Sequence, residues 1–441
     1  MNIRISSWRG AAAALALVTG GTFLGSTTAE ATPGFARQTG MACVACHFQH
    51  YPTLNAFGRA FKASGYTMRG AQPMVEGDDL SMPVDLNMTL VTKLRYQKSN
   101  GEGLDSNGDE VPTNYGEIQW PDEAAILIGG RVGENIGFLL EHATFGEANV
   151  GGDADEDGTI QAGELGDGAF SLFNSFKVHF NLRDMGATRL STVLFSTDAG
   201  GAPYGFEMLN TGAQRFMRPI EDRNTMSAAQ YLGMGDGEAT GLAVVLSNPG
   251  WFVNYSAWAP AFGNIQAPKL ASYLRAAITP NLGGWDTGFG VQYYAGEYGA
   301  RVDGEGVMAK TEGWVIDAQA QGEWRGMPLG LYASYGSVPY KENNFLSTVL
   351  DDNVTRDKKA LGLMAELGVI PNKANVYLAY RTADNGRATK HQDNAVTLGG
   401  SWMVYQNVKL ELFHTAKSGS KYSPKPAGGD AITTLMIFAG F

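Results

Sequence analysis

The chain has only two cysteines, and a histidine follows the second: residues 43–47 read Cys-Val-Ala-Cys-His. C-x-x-C-H is the attachment sequence of c-type haem. The thiols of Cys43 and Cys46 would bond the porphyrin, and His47 would ligate its iron. Two other chemistries use paired cysteines. A redox dithiol needs a βαβ setting, and a zinc site needs further Cys or His at ligand spacing. The sequence supplies neither, so one covalent haem c is expected. His47 is then the residue through which electrons pass. The sixth ligand is not dictated by any motif. Met68 lies far enough along the chain to return to the other haem face, with Met74 and Met82 as alternatives. Methionine ligation raises the potential. His50 is too close to His47 to span the ring and reads as a surface or propionate partner. Arg37, Arg59 and Lys62 are further candidates for the propionates.

A second constellation lies at 153–164. Asp153, Asp155, Asp157, Gly158 and Glu164 match D-x-[DN]-x-[DN]-G-x5-E, in which carboxylates surround Ca²⁺ and the glycine permits a sharp turn. No helical flanks are evident, so either a calcium loop or a merely acidic loop fits. Other acidic residues (Asp105, Asp109, Glu110, Asp303, Glu305, Asp351, Asp352) fall in connections of the same kind. They would concentrate cations near the surface. His142, His179, His391 and His414 are scattered and read as lining. No G-x-S-x-G, H-E-x-x-H or Walker sequence occurs. The net charge of −11 disfavours nucleic acid.

The segments that must position these residues are three. Residues 1–31 read as an export signal: Arg4 and Arg9, an apolar run over 11–24, then Ala29-Glu30-Ala31 with cleavage before Thr32. Residues 32–78 form the haem segment. Leu54, Phe57, Phe61 and Gly65 are spaced for one face of a short helix after Pro52. So small a unit needs a covalent staple or a partner to fold. Residues 79–441 change to a period of two. Val84, Leu86, Met88, Leu90, Leu94 and Tyr96 fall on one face, with Lys93 and Arg95 on the other. The first strand is too long for an ordinary soluble sheet and suits a tilted membrane strand. A Lys or Arg facing lipid at midplane costs about 2–4 kcal/mol, so Lys93 and Arg95 must face a lumen or lie outside the hydrocarbon layer.

The pattern recurs near 118–132, 135–144, 169–181, 188–197, 239–247, 251–259, 269–279, 285–297, 312–322, 327–336, 358–369, 374–382, 394–405, 407–416 and 431–441. The expected fold is all-β: a transmembrane antiparallel barrel of about 16 strands, an even number as bacterial barrels require. Its connections alternate short and long, with long ones at 98–117, 145–168, 198–238, 298–311, 337–357, 383–393 and 417–430. Short turns are periplasmic and long loops extracellular in such barrels. Charged residues make up 17% of the chain, against about a quarter in soluble domains. Trp251, Tyr255, Trp258, Trp314, Tyr332, Tyr335, Trp402 and Tyr405 are candidates for the aromatic girdles. A soluble β-sandwich or propeller is the competing fold, and nothing in it calls for alternating link lengths.

The run FARQTGMACVACHFQHYPTLNAFGRAFK from Phe35 resembles the N-terminal signature of the fused cytochrome–porin iron oxidases of iron-oxidising bacteria. Tyr51 stands where an aromatic such as Phe is expected. The terminal Phe441 on an alternating strand is similar to the assembly signal of porins. The resemblance implies a bacterial outer-membrane monohaem protein in contact with lipid. It would take one electron from extracellular Fe(II) and pass it to a periplasmic cytochrome c or similar acceptor. By position, it places haem attachment on Cys43 and Cys46 and ligation on His47. The haem segment is expected to plug the lumen. A porin with a cytochrome-like plug, or a haem conduit serving a donor other than Fe(II), are the rival functions.

Overall fold

The computed structural model describes residues 34–70, 72–78, 81–101, 114–145, 175–214, 217–220, 226–235, 237–263, 269–302, 305–341, 344, 346 and 353–441. All belong to one compact unit, Ala31–Phe441. The export signal, the acidic loop at 153–164, and Asp105, Asp109, Glu110, Asp303, Asp351 and Asp352 lie outside the described residues.

Three short helices lead: α1 (Gly34–Thr39), α2 (Cys43–Cys46) and α3 (Ala56–Ala63). A small hairpin follows, β1 (Met74–Glu76) with β2 (Ser81–Pro83). The barrel begins with β3 (Met88–Ser99), β4 (Glu117–Gly133), β5 (Ile136–Phe145), β6 (Ser175–Met185) and β7 (Thr188–Thr197). After a long connection carrying α4 (Ala228–Tyr231) come β8 (Ala239–Asn248), β9 (Trp251–Ala259), β10 (Ala271–Ile278), the two-residue β11 (Asn281–Leu282) and β12 (Trp285–Ala295). A protruding hairpin, β13 (Glu297–Val302) and β14 (Glu305–Lys310), precedes β15 (Gly313–Trp324), β16 (Met327–Val338), β17 (Lys358–Ile370) and β18 (Ala374–Asp384). The last strands are β19 (Asn394–Tyr405), β20 (Val408–Ser418) and β21 (Ala431–Gly440).

Each long strand pairs antiparallel with its neighbour, and β21 pairs back onto β3. The result is a closed antiparallel barrel of 16 long strands among the described residues. Backbone bonds in both directions between Leu90 and Phe441 close it at the terminus. Closure satisfies every strand edge, which is why a sheet can stand in lipid at all. Among the described residues no helix is long and apolar enough to cross a membrane.

Alternation decides what faces lipid. Along β8, Leu242, Val244 and Leu246 are exposed while Ala239, Ala243 and Val245 are buried, and β18 repeats this with Val376, Leu378 and Tyr380 outside. Lys93 and Arg95 face inward as expected, paired with Glu123 and Asp122 on β4. The first barrel strand starts at Met88 rather than Val84, because residues 84–87 turn to meet the N-terminal segment. Two girdle assignments are corrected. Trp258 and Tyr332 point into the lumen, where Trp258 packs on Tyr294, while Tyr255, Trp314, Tyr335 and Tyr405 face outward. His414, expected to line the lumen, also faces outward and bonds Thr433. The turns are tight. Arg325 and Gly326 both have positive φ, at 53° and 79°, which is the two-residue twist that matches paired strands.

The described residues of the connection at 198–238, expected outside the cell, fold into the barrel instead. Tyr204, Phe206, Met208, Leu209, Leu232 and Met234 are buried against wall residues such as Phe195, Phe252 and Tyr273. The lumen therefore holds a hydrophobic core above the N-terminal segment.

Candidate functional site

The N-terminal helices sit inside the short-turn half of the barrel and reach around its circumference. Gly34 donates to Thr89 on β3. Asn181 on β6 donates to the Ser64 carbonyl at 2.8 Å. Arg59 makes a bidentate bond to Asp286 on β12, at 2.9 and 2.6 Å. Gln49 donates to Pro328 on β16, and the Tyr51 ring lies 4.5 Å from that of Phe438 on β21. The wall has thinned to receive the segment. A Cβ on Gly137 of β5 would collide with the Gly65 carbonyl.

Within the segment, Asn55 caps α3 by accepting from Gly58 N–H at 2.9 Å. Phe61 is buried with Phe35 and Tyr66, ring centroids 5.1 and 5.9 Å from its own. Phe57, expected on the same buried face, is exposed instead. Met41, Val44 and Met68 are exposed too, although the segment lies within a barrel.

Cys43 and Cys46 occupy the single turn α2, half-buried and not joined to each other. Burial pushes both thiols up, so they are protonated. His47 follows at the end of the turn. Its Nδ1 lies 3.2 Å from the Thr53 carbonyl, which can only accept, so Nδ1 carries the proton and Nε2 the lone pair. Burial lowers its pKa to about 4, assisted by His50, Arg218 and Lys409 nearby. A neutral imidazole with its second nitrogen bonded to a backbone carbonyl is the arrangement of a metal-ligating histidine.

Met68 is 37% exposed, and Gln38 fixes its carbonyl at 2.7 Å. Of the cations read as propionate partners, Arg59 is committed to Asp286 and Arg37 bonds the Met88 carbonyl. Lys62 is pushed well below its ordinary range by burial, with Lys177 and Arg218 close by. Arg218 comes from the inward loop, whose Asn210 bonds both the Leu54 N–H and its carbonyl, at 2.8 and 2.9 Å. His179 packs against Gly65, so it serves plug docking. His391 bonds Asp384 in a long loop at 2.9 Å.

The inward loop is tied to the wall by ions. Arg275 on β10 meets Glu207 of the loop at 2.7 Å and also pairs with Asp317 on β15. All three side chains are fully buried, and Thr211 adds a bond to Asp317 at 2.7 Å. The sequence reading did not include this triad. An arginine in the apolar strand ASYLRAAI was the available signal, since such a residue must face inward and find carboxylates.

No family model and no curated protein matches the chain. Solved structures match it in fold. OprB of Pseudomonas putida superposes with a TM-score of 0.50, at 12% identity, over 90% of this chain and 99% of its own. The outer-membrane channel DcaP of Acinetobacter baumannii gives 0.45 at 12% identity, over 81% and 97%. A loop-deletion form of OmpT of Vibrio cholerae gives 0.45 at 10%, over 81% and 99%. The chain has the porin-like β-barrel fold of the bacterial outer membrane. Likeness at this identity speaks to the fold alone, so the function must be argued from the segment inside.

The residues present fit haem c. The two thiols are free, His47 offers Nε2, and Met41, Val44, Phe57 and Met68 leave apolar surface that a porphyrin bonded at Cys43 and Cys46 would cover. Among the described residues no group of three or more His, Cys, Asp or Glu is placed to hold a metal by itself.

Proposed function

We propose that this chain is an outer-membrane monohaem cytochrome c that takes one electron from extracellular Fe(II) and hands it to a periplasmic cytochrome c or similar carrier. The reading rests on His47, a neutral imidazole held inside a membrane barrel with Nδ1 committed to Thr53 and two free thiols one turn away. Bound haem supplies one-electron redox chemistry tuned by its axial ligands. Cys43 and Cys46 would anchor it, and His47 and Met68 would hold its iron. Lys62 and Arg218 are the cations left for its carboxylates. The barrel wall would shield the segment from lipid. The loop with Asp153, Asp155, Asp157 and Glu164 is a calcium site under the same reading.

The second reading is a porin, or a haem conduit with another donor. The fold favours a porin. The lumen counts against it, because the N-terminal segment and the described parts of the inward loop both occupy it. Stopped-flow mixing of the purified protein with Fe(II) should reduce the haem. Solute flux through liposomes, without that reduction, would establish the porin instead.

A further inference from the structure

Three residues past His47, a second histidine is set against a carboxylate of the wall. His50 Nε2 lies 2.7 Å from Glu366 Oε1 on β17, and both side chains are fully buried. The contact falls outside hydrogen-bond geometry, and neither Glu366 oxygen accepts a hydrogen bond from the described residues. His50 Nδ1 is 2.7 Å from the Tyr51 carbonyl, which can only accept, so Nδ1 carries a proton and Nε2 is the ring atom turned toward Glu366. The Tyr377 hydroxyl stands 3.0 Å from the same nitrogen and 2.6 Å from Ser401 Oγ.

Two more oxygens come to this place. Tyr377 is the register partner of Glu366, and Asn375 is the partner of Gly368, two residues further along the same face. A Cβ on Gly368 would run into the side-chain amide of Gln49, which Gly368 therefore admits. Gln49 Oε1 and Asn375 Oδ1 are buried and accept no hydrogen bond from the described residues.

A buried carboxylate that accepts no hydrogen bond is an unfavourable arrangement unless a positive charge sits beside it. The donor set is one imidazole, one carboxylate and two amide oxygens. It suits first-row divalent metals better than Ca²⁺ or Mg²⁺. The Tyr51 carbonyl supplies the outer-shell bond that fixes a ligating histidine. Two donors each about 2.1 Å from a metal, at right angles, stand about 3 Å apart, close to the separation of His50 and Glu366.

We propose that His50 and Glu366, with the amide oxygens of Gln49 and Asn375, bind one first-row divalent cation between the haem segment and the barrel wall. That the occupant is Fe(II) rests on the iron-oxidase reading; the site itself does not.

Co(II) is the probe, because its visible absorption reports ligation. Full-length haem-loaded protein in detergent, incubated overnight with Co(II) and dialysed, should retain one cobalt per chain. His50→Gln and Glu366→Gln should each weaken retention more than tenfold, at least the loss that outer-shell changes alone produce. Glu411→Gln should not, since Glu411 already has Lys409 at 2.7 Å. The heat-dependent gel shift of a folded barrel checks each variant, and His50→Gln carries the test if Glu366→Gln fails to fold. No cobalt at millimolar concentration, or equal retention in both variants, overturns the proposal and leaves a buried pair sharing a proton. Fe(II) mixing on the same samples separates the two readings. Cobalt held by wild type and lost by the variants, with haem that Fe(II) does not reduce, keeps the site and removes the oxidase. Haem reduced by Fe(II) in a protein that binds no cobalt does the reverse.

Discussion

His47 shows how much a single side chain depends on its surroundings. In free solution its pKa would be 6.5, and burial brings it to about 4. A depressed base stabilises the docked state fully above the higher value. That stability is lost as pH falls from about 6.5 toward 4, because the undocked segment takes up its proton first. A haem-free Cys43→Ala/Cys46→Ala chain should therefore expose residues 34–70 to protease progressively across that window. A cleavage rate that is flat from pH 7 to pH 4 would show that His47 is not buried by docking. The same double variant should fold as a barrel and lose the covalent haem stain on denaturing gels. At Arg275 the issue is charge. Arg275→Met leaves Glu207 and Asp317 buried with no cation between them, a loss of about 3–5 kcal/mol. Thermal scans of the folded barrel should fall, and the loop at 198–238 should become cleavable.

At the scale of elements, the plug and the inward loop hold each other. Asn210 bridges the loop to Leu54, while Gly137 lets the Gly65 carbonyl lie against β5. Gly137→Leu should push the segment off the wall and raise its proteolysis, with the barrel still heat-shifted on gels. Unchanged protection would place the contact elsewhere. The strand positions were legible because each strand carries its own alternation: 188–197 and 251–259 match the observed bounds to the residue. Parity also carried information that the girdle assignment overlooked. Tyr332 and Tyr335 are three apart on one strand and cannot share a face. Phe57 failed for a different reason. Helical spacing says which side chains lie together, and says nothing of whether protein or a cofactor covers them.

For the whole molecule, the segment and loop inside the lumen set the behaviour to be tested. Deleting residues 34–72 should raise single-channel conductance in planar bilayers well above that of the intact chain. Equal conductance would mean that the segment does not obstruct the pore. The lipid face sets the complementary limit. Leu398 is 62% exposed on the outer surface of β19, and Leu398→Arg should cost about 2–4 kcal/mol of barrel stability if it lies near the midplane, less toward the rim. Urea titration of the folded barrel in lipid reads that loss directly.

The amino-acid order alone determined the barrel, its strand number, the alternation along each strand and the C-x-x-C-H sequence. Each is written in contiguous residues, either as a two-residue period or as a five-residue sequence. Tertiary structure decided that the connection at 198–238 turns inward, that Arg59 is tied to Asp286 rather than left for a haem carboxylate, and that His50 meets Glu366 across more than three hundred residues of chain. Those depend on which side chains face each other once the cylinder closes, and closure brings together positions whose distance along the chain carries no local pattern.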